Sequence, residues 1–215
     1  MSGLQMVPIS DDFRSSLPRK LYRRFSERAH AEAFIAGELR FQSLTRYRSI
    51  EDAARQDKRE GSRIWNLGGS YMEIMDDDGN FGNRVDFNSG EFKVELVHAA
   101  NYLIACFSTR QNARQKAFGP WLVTIHHADS LIRHIRSAFP HPDCLIWGRV
   151  DYYDPETPRL RPDDGQVWRK KPQHYRHEHE FRIGCVLRNH PNPETARARI
   201  VGADLSHVTD LVHSP

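Results

Sequence analysis

The segment NYLIACFST (101–109) constrains the fold more than any other stretch, because its run YLIACF leaves no polar face. A run this short fits a strand covered on both sides better than a helix. Such a strand needs neighbours at both edges and packing layers above and below. Candidate neighbours are plentiful: KLYRRF (20–25), LRFQSL (39–44), GGSYMEIM (68–75), NRVDFN (83–88), EFKVELV (91–97), WLVTI (121–125), LIWGRVDYY (145–153), QVWRK (166–170) and HEFRIGCVL (179–187) all have strand-like composition. In LRFQSL, Leu39, Phe41 and Ser43 fall on one side, and the acidic turn DDDGN (76–80) reads as a hairpin connection.

Helical patterning is confined to three short stretches. Ser26 offers an N-cap to ERAHAEAFIA, which Gly37 stops. Ser49-Ile-Glu-Asp52 resembles a capping box opening EDAARQ. Ser130 precedes LIRHIRSAF, where Leu131, Ile135 and Phe139 recur at steps of four. The segments 57–69 and 153–165 read as loops, the second rich in Pro and Asp. The pattern predicts an α+β chain: a tail over 1–18, then a strand-rich single domain over 19–215, built of two packed antiparallel or mixed sheets with a few short helices.

Composition removes several classes of function. Thirty-one basic residues against 28 acidic ones leave a formal charge of +3, too little for a protein that works by neutralising polyphosphate. The basic residues are 25 Arg and 6 Lys, and the Arg fork suits bidentate phosphate or carboxylate contacts. Cys106, Cys144 and Cys185 form no C-x-x-C pair, which fits a reducing compartment. The N-terminus has no Sec-type leader and no run approaches the length of a membrane span, so the expectation is a soluble protein of the producing cell's cytoplasm, with export by a route needing no cleaved signal left open. G-x-G-x-x-G, G-x-x-x-x-G-K-[ST] and G-x-S-x-G are all missing. His174-x-x-His177-x-His179 does not read as a metal site, because on a strand His174 faces away from the other two and no Cys or Asp completes a set.

Three segments carry candidate chemistry. Read as a strand, HYRHEHEFRIG (174–184) puts Glu178, Glu180 and Arg182 on one face. Carboxylates at i and i+2 of a strand lie about 6.5–7 Å apart, close enough to touch one substrate and to raise each other's proton affinity. The bland alternative is an edge strand with a Glu/Arg salt-bridge face. Phe107-Ser108-Thr109 ends the apolar run, where hydroxyls cap backbone groups or orient a carboxylate. Leu21-Tyr22-Arg23-Arg24 lies on an early strand, where an arginine is either solvated or a phosphate clamp. A fourth segment, LTRYRSIEDAARQDKREG, is densely charged, and residues 45–63 read as a lid with Tyr47 available to stack on a ring.

Taken in order, Tyr22-Arg23 on a strand, aromatic-Ser-Thr at a strand end and Glu-x-Glu on a late strand resemble the arginine-serine-glutamate arrangement of the ADP-ribosyltransferase superfamily, as a divergent bacterial member. The resemblance implies that Arg23 holds the phosphates of NAD, which is consumed as a co-substrate without a metal. It places Tyr22, Phe107, Thr109 and Tyr47 around that co-substrate and Ser108 in support of the catalytic pair. It makes Glu180 the group facing the nicotinamide ribose and Glu178 the activator of the acceptor. The acceptor expected is a protein, with a nucleic acid as the second choice, and no membrane partner; oligomeric state is left open. Two other classes of function fit the residues: a metal-independent ribonuclease or nucleic-acid-binding toxin using His174, His177 or His179 with Arg182 on phosphate, and an interaction protein with no catalysis.

Overall fold

A computed structural model describes residues 5–6, 16–48, 62–66, 70–75, 81–87, 91–95, 99–138, 144–156, 166–188, 197–200, 205–206 and 209–213. Among these the strands are β1 (Gln5–Met6), β2 (Leu21–Phe25), β3 (Leu39–Ser43), β4 (Ser62–Asn66), β5 (Ser70–Met75), β6 (Phe81–Phe87), β7 (Glu91–Glu95), β8 (Tyr102–Ser108), β9 (Trp121–Ile125), β10 (Leu145–Arg149), β11 (Asp151–Tyr153), β12 (Lys170–Pro172), β13 (Glu180–Arg188), β14 (Arg197–Ile200) and β15 (Thr209–His213). The helices are α1 (Arg28–Ile35), α2 (Leu44–Arg48) and α3 (Ala128–Ala138). The fold is α+β.

Nine strands form one antiparallel sheet with the apolar run, β8, at its centre. One edge of β8 pairs with β13 from Ser108↔Glu180 to Tyr102↔Val186. The other edge is divided: β3 pairs at Ser43↔Leu103 and Gln42↔Ile104, and β2 pairs at Tyr22↔Ser108. The sheet therefore forks along β8. One branch continues through β3 to β14, the other through β2 to β9 and β15. Beyond β13 lie β10 and the short β1, whose residues Gln5 and Met6 fall within the segment expected as a tail. Three two-stranded ribbons, β4–β7, β5–β6 and the parallel β11–β12, complete the strand pairing.

Both faces of β8 are covered, as an apolar strand requires. Leu103, Ala105 and Phe107 join one core with Phe34 of α1 and Leu131, Ile132 and Ile135 of α3. Ile104 joins a smaller core on the opposite face with Leu44, Ile146 and Trp168. Burying one side chain of Phe34's size contributes about 1.5–3 kcal/mol. Gly184 lies against the centre of β8: a Cβ there would stand 2.3 Å from the Leu103 carbonyl oxygen, so no other residue allows this strand spacing.

Several local expectations change. Helix α1 starts after Glu27 rather than Ser26, without a side-chain cap, and α3 begins at Ala128, so Ser130 sits inside its first turn. A short helix follows β3 directly at 44–48; EDAARQ and most of the expected lid lie outside the described residues. Ser62–Asn66, within the expected loop 57–69, is a strand paired with β7. LIWGRVDYY breaks at Val150 into β10 and β11, and QVWRK is mainly a 3₁₀ turn, Val167–Arg169, that leads into β12. The largest change is at 174–179. Gln173–Glu178 is a 3₁₀ helix ended by His179 in the left-handed region at φ 46°, so β13 starts only at Glu180. The reason is the length of β8: its ladder with β13 stops at Ser108↔Glu180, leaving residues before Glu180 without a strand partner there.

Candidate active site

Between the two branches, residues 105–107 of β8 have register partners on β13 alone among the described residues. A cavity of about 250 Å³ occupies this fork. Its walls include Tyr22 and Arg23 from β2, Phe107 and Ser108 from β8, Tyr47 from α2, and both Glu178 and Glu180. Seven of the eight site residues expected from the sequence thus meet there. Tyr22, Ser108 and Glu180 stand in one row across β2, β8 and β13. Thr109 instead turns to the turn before β13, where its N–H and its hydroxyl both donate to the His179 carbonyl, at 2.8 and 3.1 Å.

The two glutamates arrive by different routes. Glu180 opens β13, whereas Glu178 ends the 3₁₀ helix, so they do not share a strand face as the sequence pattern predicted. They meet on Lys171 of β12, whose ammonium lies 2.7 Å from Glu178 Oε2 and 2.9 Å from Glu180 Oε2. Arg182 adds a second cation, donating from Nε to Glu180 Oε1 at 2.7 Å and from Nη2 to Oε2 at 3.3 Å. Arg182 is fully buried, and its Nη1 donates to the Trp168 carbonyl. It is not accessible to a phosphate, which removes the anchor proposed for a ribonuclease.

The turn is held by side chains that follow β8. The Ser108 hydroxyl stands 2.7 Å from the carbonyls of Glu178 and Arg110 and shares its proton between them. Gln115 donates to the Ser108 hydroxyl at 2.7 Å and to the Glu178 carbonyl at 2.9 Å, and Asn112 donates to the His177 carbonyl. These carbonyls would otherwise lack donor partners where the ladder stops. The Tyr152 hydroxyl accepts the Glu180 N–H at 2.8 Å. Gly119 permits this packing: at φ 129° its missing Cβ would fall 2.1 Å from the Phe25 carbonyl oxygen, so the Gln115 segment can close on the end of β2.

The environment separates the carboxyls. For Glu178, burial dominates and Glu180's charge adds to it; Lys171 offsets only part, and the proton affinity rises to about 7. For Glu180, burial pushes the same way but Arg182 and Lys171 outweigh it, holding the group well below the usual carboxylate range. Burial and then the Glu180 charge raise the Cys106 thiol, which hydrogen-bonds to Glu180 and stays protonated. Burial and Glu180 likewise raise Tyr152. Tyr47 is raised by burial first and then by Cys106, and its neutral phenol donates to the Ile104 carbonyl at 3.4 Å.

Arg23 sits among aromatic rings, its guanidinium carbon 5.2 Å from the Phe107 centroid, 5.4 Å from Phe25 and 5.6 Å from Phe34. With Arg24 and Gln42 it walls both the fork cavity and a second one of about 280 Å³, which also takes in Arg40 and His30. Gln115, Asn112 and Tyr152 carry no motif in the sequence, whereas Arg182 stands with the two glutamates in HYRHEHEFRIG. Lys171 precedes the glutamates in the run K-x-x-x-Y…E-x-E-F-R, a pattern that by itself supplies no role.

Among the described residues no three His, Cys, Asp or Glu side chains group as metal ligands, and no helix is long and apolar enough to cross a membrane. No protein-family model, curated protein or solved structure matches the chain.

Proposed function

We propose that the chain is an NAD-consuming transferase of the ADP-ribosyltransferase type, with the fork cavity as its active site. The observation that carries this reading is that Glu178 and Glu180 meet on one ammonium in one cavity wall, Glu178 raised by burial and Glu180 held low by two cations. Breaking a glycosidic bond to a pyridinium needs negative charge against the ribose carbon and then a base for the incoming acceptor. Glu180 supplies the charge. The carbon–nitrogen bond breaks with its electron pair going to the ring nitrogen, and nicotinamide leaves neutral. An acceptor oxygen or nitrogen forms the new bond to the ribose carbon, and its proton passes to Glu178.

The cavity walls suit that substrate. Tyr22, Tyr47 and Phe118 offer flat apolar surface to a cationic ring, and the second cavity presents Arg23 and Arg24 toward a diphosphate beside Arg40, which Glu38 of the same wall pairs at 2.5 Å. The acceptor we favour is a protein side chain, with a nucleic acid as the competing outcome. The compartment we favour is the producing cell's cytoplasm, or a target cell reached by leaderless export. Incubating lysate protein and nucleic acid with isotope-labelled NAD, followed by mass spectrometry, identifies the acceptor class; absence of label in both argues against transfer.

One observation favours a second reading. Glu180 is 6% exposed and doubly bonded to fully buried Arg182, which is also how a structural ion pair looks. On that reading the pair locks β13 beside β12 and the protein acts by binding alone.

A further inference from the structure

We propose that Lys171 is the positioning residue of the carboxylate pair: its ammonium, held between Glu178 and Glu180, aims both carboxylates into the cavity and weakens the hold of Glu178 on its proton. The inference rests on the proposed transferase reading for the source of that proton, but its geometry stands apart from it. No other side chain is within salt-bridge distance of both glutamates among the described residues.

The physical case begins with its burial. The ammonium is 8% exposed, and a lysine taken out of water must be paired to stay charged. Two carboxylates supply that pairing on one side, and the Tyr175 ring, 4.9 Å away, lies on another. Lys171 and Pro172 end β12, and the 3₁₀ helix Gln173–Glu178 begins at once, so the strand that carries the cation also launches the helix that returns Glu178 to it. Six residues separate cation and carboxylate, which makes the hairpin-like return a small closed unit.

The groups around the pair explain why the two partners of one ammonium differ. Glu178 is faced by Lys171 from β12, Glu180 from β13 and Tyr152 from β11, with Tyr175 and His177 on its own segment. Glu180 is faced by Lys171 and by Arg182, and it also accepts from the Cys106 thiol of β8. Glu180 thus has two cations and Glu178 one. Removing Lys171 leaves Glu180 still paired by Arg182 but leaves Glu178 with only a like charge beside it.

The test follows the carboxyl groups directly and needs no substrate. Protein with carboxyl-¹³C glutamate is titrated by NMR, and Glu178 is assigned by loss of its signal in Glu178→Gln. The midpoint expected for Glu178 in the unaltered protein is about 7. In Lys171→Met its midpoint rises by about 1–3 units, the usual worth of an opposite charge at this range, and Lys171→Arg restores most of the shift. Should Lys171→Met not fold, ¹⁵N-lysine spectra of the unaltered protein serve instead: the Lys171 ammonium, assigned with Lys171→Arg, moves with the Glu178 midpoint. A Glu178 midpoint unchanged in folded Lys171→Met, or a Lys171 signal insensitive to pH between 5 and 8, overturns the proposal. Titration as expected without nicotinamide release from NAD leaves the positioning role standing and removes the transferase reading alone.

Discussion

Glu178 and Glu180 are one residue apart and share one ammonium, yet pH acts on their contributions to stability in opposite directions. Glu178 is raised from its ordinary value to about 7, so the stabilisation it contributes is full below about 4.5 and is lost as pH rises to about 7. Glu180 is depressed, so its contribution is present above the ordinary carboxylate range and is lost progressively as pH falls below it. Glu178→Gln therefore flattens the decline in melting temperature between pH 5 and 7, which thermal melts across that window measure; an unchanged slope contradicts it. Glu180→Ala strands buried Arg182, and breaking such a pair costs about 3–5 kcal/mol. Denaturant unfolding measures that loss. The sequence pattern alone suggests that Glu180 stands on a tolerant, exposed face; its burial with Arg182 corrects that, and a loss under about 1 kcal/mol would contradict the structure.

At the scale of elements, the site depends on where a ladder ends. β8 and β13 stop pairing at Ser108↔Glu180, and the freed carbonyls of 177–179 are taken by Asn112, Ser108, Gln115 and Thr109. Asn112→Ala removes the bond to His177 and the cap on the Gln115 N–H at 3.2 Å. It should cost about 1–2 kcal/mol locally and speed amide exchange through 176–180 while leaving β9 protected. Hydrogen-exchange mass spectrometry decides this, and uniform acceleration across the sheet would assign Asn112 to global stability instead. The central strand, its flanking β2 and β9 and the run of β13 after Glu180 were all legible from apolar patterning. The 3₁₀ helix was not, because alternating HYRHEHE imitates a strand and nothing local records that its partner strand has ended.

For the whole molecule, the sequence carries the residues of the cavity but not the fork that assembles them. Tyr22, Arg23, Phe107, Ser108, Glu178 and Glu180 lie in three segments far apart in the chain, and their order suggested one site. The fork depends on β2 and β3 sharing one edge of β8, a long-range pairing that leaves no periodic trace in either strand. Gln115 was invisible for a related reason: it acts through partners set by tertiary folding, not by spacing. The central claim is that this cavity cleaves NAD with Glu180 as its fixed charge. Chromatography of nicotinamide released from NAD by the purified protein and by Glu180→Gln tests it most directly. The prediction is measurable release by the unaltered protein and a fall of about 10²–10³ in Glu180→Gln that remains folded by circular dichroism. Release equal in the two proteins, or none from the folded unaltered protein, would contradict it.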